Sequence, residues 1–150
     1  MLQKYRKYNV LNRKEKLLFL EALFIHLYTG LLLKVIPFRW IPRVFSSRQF
    51  KTPTNEEDQS RHNVSGRQSD EVELIKTAIV RASWVSPWRN KCLVSSLAGR
   101  CMLRRRRISS VLFLGMAKGI PSRPLAHAWL TSAGNEIVAE GGNYTVLYTF

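Results

Sequence analysis

Apolar residues crowd the stretch 17–36, LLFLEALFIHLYTGLLLKVI, where they cover more than one stripe of a helical wheel. A helix of that kind is buried on two sides or paired with a partner. Asn12 followed by Glu15 has capping-box spacing and marks its start, although Ser or Thr is the commoner cap. Pro37 and Pro42 bracket its end near Lys34, because proline cannot continue a helix. The segment 46–69 is polar and charged, carries Pro53 and Gly66, and reads as a connector. Asp70 and Glu73 repeat the capping-box spacing ahead of a second helix over 71–84, on which Val72, Ile75, Ile79 and Ala82 share the core face. A turn at 86–89 leads to Asn90, a suitable cap for a third helix over 91–105.

Beyond the run Arg104-Arg105-Arg106-Arg107 the pattern turns β-rich. Strands are predicted at 110–118, 125–131, 136–140 and 144–150, with turns at 119–122, at Ala133-Gly134-Asn135 and at Gly141-Gly142. Helices followed by an antiparallel sheet make an α+β fold. The expected organisation is a helical extension over 1–45, the connector over 46–69 and the core domain over 70–150.

Charge sharpens this picture. The chain holds 24 Lys and Arg against 10 Asp and Glu, a formal net charge of +14, which favours anionic partners of some kind without choosing among nucleic acid, anionic lipid and acidic peptide. The four consecutive arginines read as a solvated helix end, where cations suit the dipole. No nucleic-acid-binding motif is present and aromatics do not interleave with the basic run, so nucleic acid is not the expected partner. The stretch 17–36 is long enough to span a bilayer, yet it contains Glu21, His26 and Lys34. It is therefore expected to pack on the domain, and membrane association is disfavoured. No signal-peptide cleavage pattern follows it, and the two cysteines, Cys92 and Cys101, make no disulfide framework. Along one helix they would lie about 13 Å apart, too far for a disulfide. Both features point to a reducing, cytoplasmic setting.

Two residues stand out chemically. Cys92 falls at the start of the third helix, where unpaired N–H groups and the helix dipole favour an anion and so suit a thiolate nucleophile. Cys101, further along, fits an inert buried thiol. His127 lies in the second strand between Ala126 and Ala128, small neighbours that leave its ring approachable, and shares a face with Trp129. A histidine base needs a group to orient its other nitrogen. Glu140, at the end of the next strand, is the candidate. His26 and His62 compete for the base role but have no nucleophile pattern beside them. No Cys/His cluster has metal-ligand spacing and no Gly-rich phosphate loop occurs, so neither metal nor cofactor is expected.

The segments CLVSSLAGRCMLRRRRI, VLFLGMAKG and PLAHAWLTSAGNEIV together resemble the transglutaminase-like cysteine peptidases of lasso peptide maturation, and more narrowly the peptidase half of a split leader peptidase. The resemblance is strongest over 70–140. It implies a papain-like core in which a helix-start cysteine packs on an antiparallel sheet. It maps the family's cysteine onto Cys92 and its histidine onto His127. The family's aspartate falls around Ala139 or Glu140, and no aspartate follows His127, so Glu140 is the acid available. The implied substrate is a ribosomally made precursor peptide cut between leader and core. The implied partners are a small leader-binding protein and, downstream, an ATP-dependent cyclase. Two alternatives stand beside this one. The same thioester could be taken by an amine, making a transferase, or the chain could be a non-enzymatic basic binder of nucleic acid or membrane surface.

Overall fold

Each helix is started and stopped by recognisable chemistry. In the computed structural model, which describes residues 12–36, 40, 66–88, 91–117 and 125–149, the first helix α1 spans Arg13–Val35. Its predicted capping box is formed: the Asn12 amide donates to Glu15 Oε2 at 3.0 Å, and the Asn12 side chain caps the first turn in return. The next helix, α2, runs Gly66–Val85. It therefore begins about a turn earlier than the Asp70/Glu73 spacing predicts, and Asp70 sits within the helix rather than capping it. The polar residues 66–69, read as connector, are helical because the turns that follow are anchored by Val72, Ile75, Ile79 and Ala82, all buried as expected. The other expected connector residues and the prolines 37 and 42 lie outside the described residues, as does Asn90.

Helix α3, Lys91–Arg105, closes in a Schellman motif. The Ile108 amide donates to the Leu103 carbonyl and the Arg107 amide to that of Arg104, both at 3.0 Å, with Arg107 in the left-handed region at φ 58°. The arginine run is thus more than a solvated end. Arg106 is turned inward, donating from Nη1 and Nη2 to the two carboxylate oxygens of Glu21 at 3.2 and 2.6 Å, and pairing through Nε with Glu71 at 3.1 Å. Arg105 adds a contact to Glu21 at 3.1 Å. One guanidinium thereby clamps α1 and α2 to the end of α3, and its pKa is raised above the ordinary arginine value, chiefly by the hydrogen bonds to Glu21.

The four strands are β1 (Val111–Ala117), β2 (Leu125–Ser132), β3 (Asn135–Val138) and β4 (Thr145–Thr149), in an antiparallel sheet of order β3-β2-β1-β4. Ala133 and Gly134, both at positive φ, make the tight β2–β3 turn that the sequence predicts. The fold is α+β. One sheet face, with Leu112, Leu114, Ala128, Leu130 and Ile137, is buried in the same core as Ala22 and Ile25 of α1, Ile75 and Ile79 of α2, and Leu97, Ala98 and Met102 of α3. Alternation sends His127, Trp129 and Phe113 to the other face.

Candidate active site

The sulfur sits where the sequence places it, on the second residue of α3, in a partly buried position. What locates that helix start is a side chain one turn further on. Ser96, fully buried, donates its hydroxyl to the Ala128 carbonyl at 3.2 Å. Ala128 is the neighbour of His127, and it lies beyond the last β2–β3 pair, Leu130 with Val138. Gly99, a further turn along α3, lets the Leu130 side chain approach: a Cβ there would meet Leu130 Cδ2 at 2.8 Å. Helix and strand therefore run in step, with Gly99 at Leu130 and Ser96 at Ala128. That alignment sets the Cys92 end of α3 level with the start of β2, while the His127 ring lies with Trp129 and Tyr144 on the sheet face turned away from α3. Among the described residues no hydrogen bond joins the two side chains. An open cleft lined by Ser83, Trp84 and Lys91 borders the same helix start.

The imidazole is held from two sides. Its Nε2 lies 3.0 Å from the Ala139 carbonyl oxygen. A carbonyl can only accept, so Nε2 carries the proton and Nδ1 is left as the basic nitrogen. Tyr144 stacks on the ring with centroids 4.8 Å apart, and Trp129 continues the stack at 6.2 Å. Trp129 in turn lies on Phe113 at 5.3 Å and crosses Gly115, where a Cβ would meet its ring at 2.9 Å. Gly115 is His127's register partner on β1, so the missing side chain makes room for the stack.

The orienting contact differs from the one expected. Strand β3 stops at Val138 rather than at Glu140, and the partner of the ring is the backbone of Ala139, one residue before the expected carboxylate. The β-bulge between Leu130 and Thr131 shifts the β2–β3 register, so alternation counted along the sequence does not give the pairing. Glu140 follows directly and is partly buried.

The other sequence candidates separate cleanly. His62 lies outside the described residues. His26 is fully buried in α1, with Nε2 2.9 Å from Ser95 Oγ and its own carbonyl accepting from Trp88 Nε1 at 3.1 Å. Burial, helped by the charge of Lys91, lowers its pKa to about 4. It is a neutral structural residue, and its ring has no route to solvent chemistry. Burial likewise pushes the Cys101 thiol up, against the opposing pull of Arg104, Arg100 and Arg105, which suits the inert role expected of it. Sequence reasoning missed the Ser95–His26 pair and the Ser96 tie. The signal available was the serine pair inside the apolar stretch 93–98 of α3, together with the small and polar set His26, Thr29 and Gly30 on α1. Among the described residues no cluster of His, Cys, Asp or Glu could hold a metal ion.

Comparison with known proteins adds one finding. The family model described as Transglutaminase-like superfamily matches residues 32–149, which span α2, α3 and the whole sheet. Neither the curated proteins nor the solved structures yield a match. The chain belongs to the transglutaminase-like superfamily, whose members are typically cysteine peptidases or acyltransferases.

Proposed function

We propose that this transglutaminase-like chain is a cysteine peptidase that removes the leader from a ribosomally made lasso peptide precursor, with Cys92 as nucleophile and His127 as base. The observation that carries the reading is the hydrogen bond from His127 Nε2–H to the Ala139 carbonyl, His127 lying on the strand that Ser96 bonds to the helix whose second residue is Cys92. That bond leaves Nδ1 free to take the thiol proton. It does for the tautomer what a carboxylate does in a triad.

The steps follow from this arrangement. Nδ1 removes the Cys92 proton, and the thiolate attacks the carbonyl carbon between leader and core. The Cys92 amide, in the first turn of α3 where a helix supplies no intrahelical acceptor for its N–H groups, donates to the oxyanion that forms. The imidazolium then protonates the departing amine as the C–N bond breaks, leaving a thioester on the leader. Water, deprotonated by Nδ1, hydrolyses that thioester and regenerates the thiol.

The substrate reading rests on the resemblance of the Cys92 helix and the Ala126-His127-Ala128-Trp129 strand to lasso peptide leader peptidases. On this reading a small leader-binding protein delivers the precursor, and a separate ATP-dependent cyclase consumes the freed core. The test is precursor cleavage, followed by mass spectrometry with the leader-binding partner present. Cys92→Ala and His127→Ala abolish the leader and core products if the assignment holds, and full activity of Cys92→Ala ends it. The superfamily equally includes acyltransferases. A leader carrying an added amine in place of a free carboxylate would move the chain to that class.

A further inference from the structure

Helix α1 is inside out. Its buried residues are Ala22, Ile25, His26, Thr29 and Gly30, two of them polar and two of them small. From Leu17 to Leu31 every exposed position is Leu, Phe or Tyr: Leu17, Leu20, Phe24, Leu27, Tyr28 and Leu31, followed by Lys34 and Val35. The exposure is large, 68% at Leu17, 73% at Phe24 and 76% at Val35. The spacing of three and four residues lines these side chains up as one stripe, about 27 Å long at helical rise. A continuous apolar stripe of that length on a water-exposed helix marks an interaction surface.

Charge selects the occupant. The exposed stripe ends in cations, Arg13 and Lys14 at one end and Lys34 at the other. Both carboxylates of the helix are turned aside, Glu15 to its own cap and towards Arg81, Glu21 to Arg105 and Arg106. The outward face therefore offers only apolar and cationic groups, on a chain of net charge +14. A second copy of the chain would meet it with the same positive charge. A surface with an apolar interior under anionic headgroups matches both features.

We infer that α1 docks this protein on anionic membrane surfaces, lying in the plane of the interface with Leu17, Leu20, Phe24, Leu27 and Leu31 sunk among the acyl chains. Two of the three residues that argued against a membrane in the sequence, Glu21 and His26, point into the domain, and the third, Lys34, stands at the stripe's end beside the headgroups. The helix is long and apolar enough to span a bilayer. Spanning would nevertheless break the His26–Ser95 and Trp88–His26 hydrogen bonds, whereas lying flat keeps them. The inference does not depend on the chemistry of Cys92.

The test is flotation of the full chain with vesicles of phosphatidylcholine alone and of phosphatidylcholine mixed with phosphatidylglycerol. The chain is expected to float with the anionic vesicles and to bind them less as salt is raised. The double variant Phe24→Ser, Leu31→Ser, which changes exposed side chains only and keeps every charge, is expected to weaken binding at least about tenfold while its thermal unfolding stays near that of the parent. Three results would overturn the inference: no flotation with anionic vesicles at low salt, flotation undiminished by the double variant, or elution as a dimer that the double variant splits.

Discussion

Acidification should unfasten α1 through His26. The ring is wholly buried, its Nε2 faces Ser95, and Nδ1 has no hydrogen-bond partner among the described residues. Burial, with Lys91 adding repulsion, lowers its pKa from 6.5 to about 4. In the unfolded chain the imidazole regains its ordinary affinity for protons. Above pH 6.5 neither state binds one, and the full contribution to stability is present. As pH falls from 6.5 towards 4 only the unfolded chain is protonated, so stability is lost through that window. Linkage makes the loss roughly 1 kcal/mol by pH 5.5 and roughly 2–3 kcal/mol by pH 4.5, reaching about 3 kcal/mol near pH 4. Against a total of roughly 5–15 kcal/mol for a domain, that is a large share. Urea unfolding followed by tryptophan fluorescence, at pH 7.5, 6.5, 5.5 and 4.5, measures it. Other groups titrate over the same range, so the informative quantity is the difference from His26→Gln, which keeps a hydrogen-bonding amide towards Ser95 but cannot charge. The parent should lose roughly 2–3 kcal/mol more than the variant by pH 4.5. Parallel pH profiles for the two proteins would refute the reasoning.

Three further outcomes are expected. Gly30→Ala places a methyl group on the Trp88 indole and should lower stability by about 1–3 kcal/mol, read as a shifted unfolding midpoint with altered tryptophan emission. Glu21→Gln removes the charge that two arginines share and leaves the half-buried Arg106 with Glu71, so thermal unfolding should drop by the equivalent of about 1–3 kcal/mol; an unchanged midpoint would show that the clamp contributes nothing. Tyr144→Leu removes the ring stacked on His127 and should lower kcat about two- to tenfold with KM little changed, while Tyr144→Phe keeps the stack and the rate.

Much of the architecture is legible before folding. The Asn12–Glu15 box, the third helix over Lys91–Arg105, the buried face Val72, Ile75, Ile79 and Ala82, and the tight turn at Ala133 and Gly134 all rest on interactions between residues a few positions apart. Local hydrogen bonding and helical or strand periodicity are encoded at that range, and so is the placing of Cys92 at a helix start. The beginning of α2 was not readable from its capping spacing, because the tertiary anchoring of its later turns carries the helix back through polar residues that a cap alone would exclude.

What only the tertiary structure decided are the long-range choices. Whether His127 is oriented by a carboxylate or by the Ala139 carbonyl depends on a β-bulge that moves one strand past another. Whether the arginine run meets water or Glu21 depends on how helices 85 positions apart in sequence cross. Which side of the apolar helix α1 faces outward depends on His26 finding Ser95, 69 positions away. In each case several partners are compatible with the local pattern. The selection comes from desolvation and packing energies that exist only once distant segments exclude water between them.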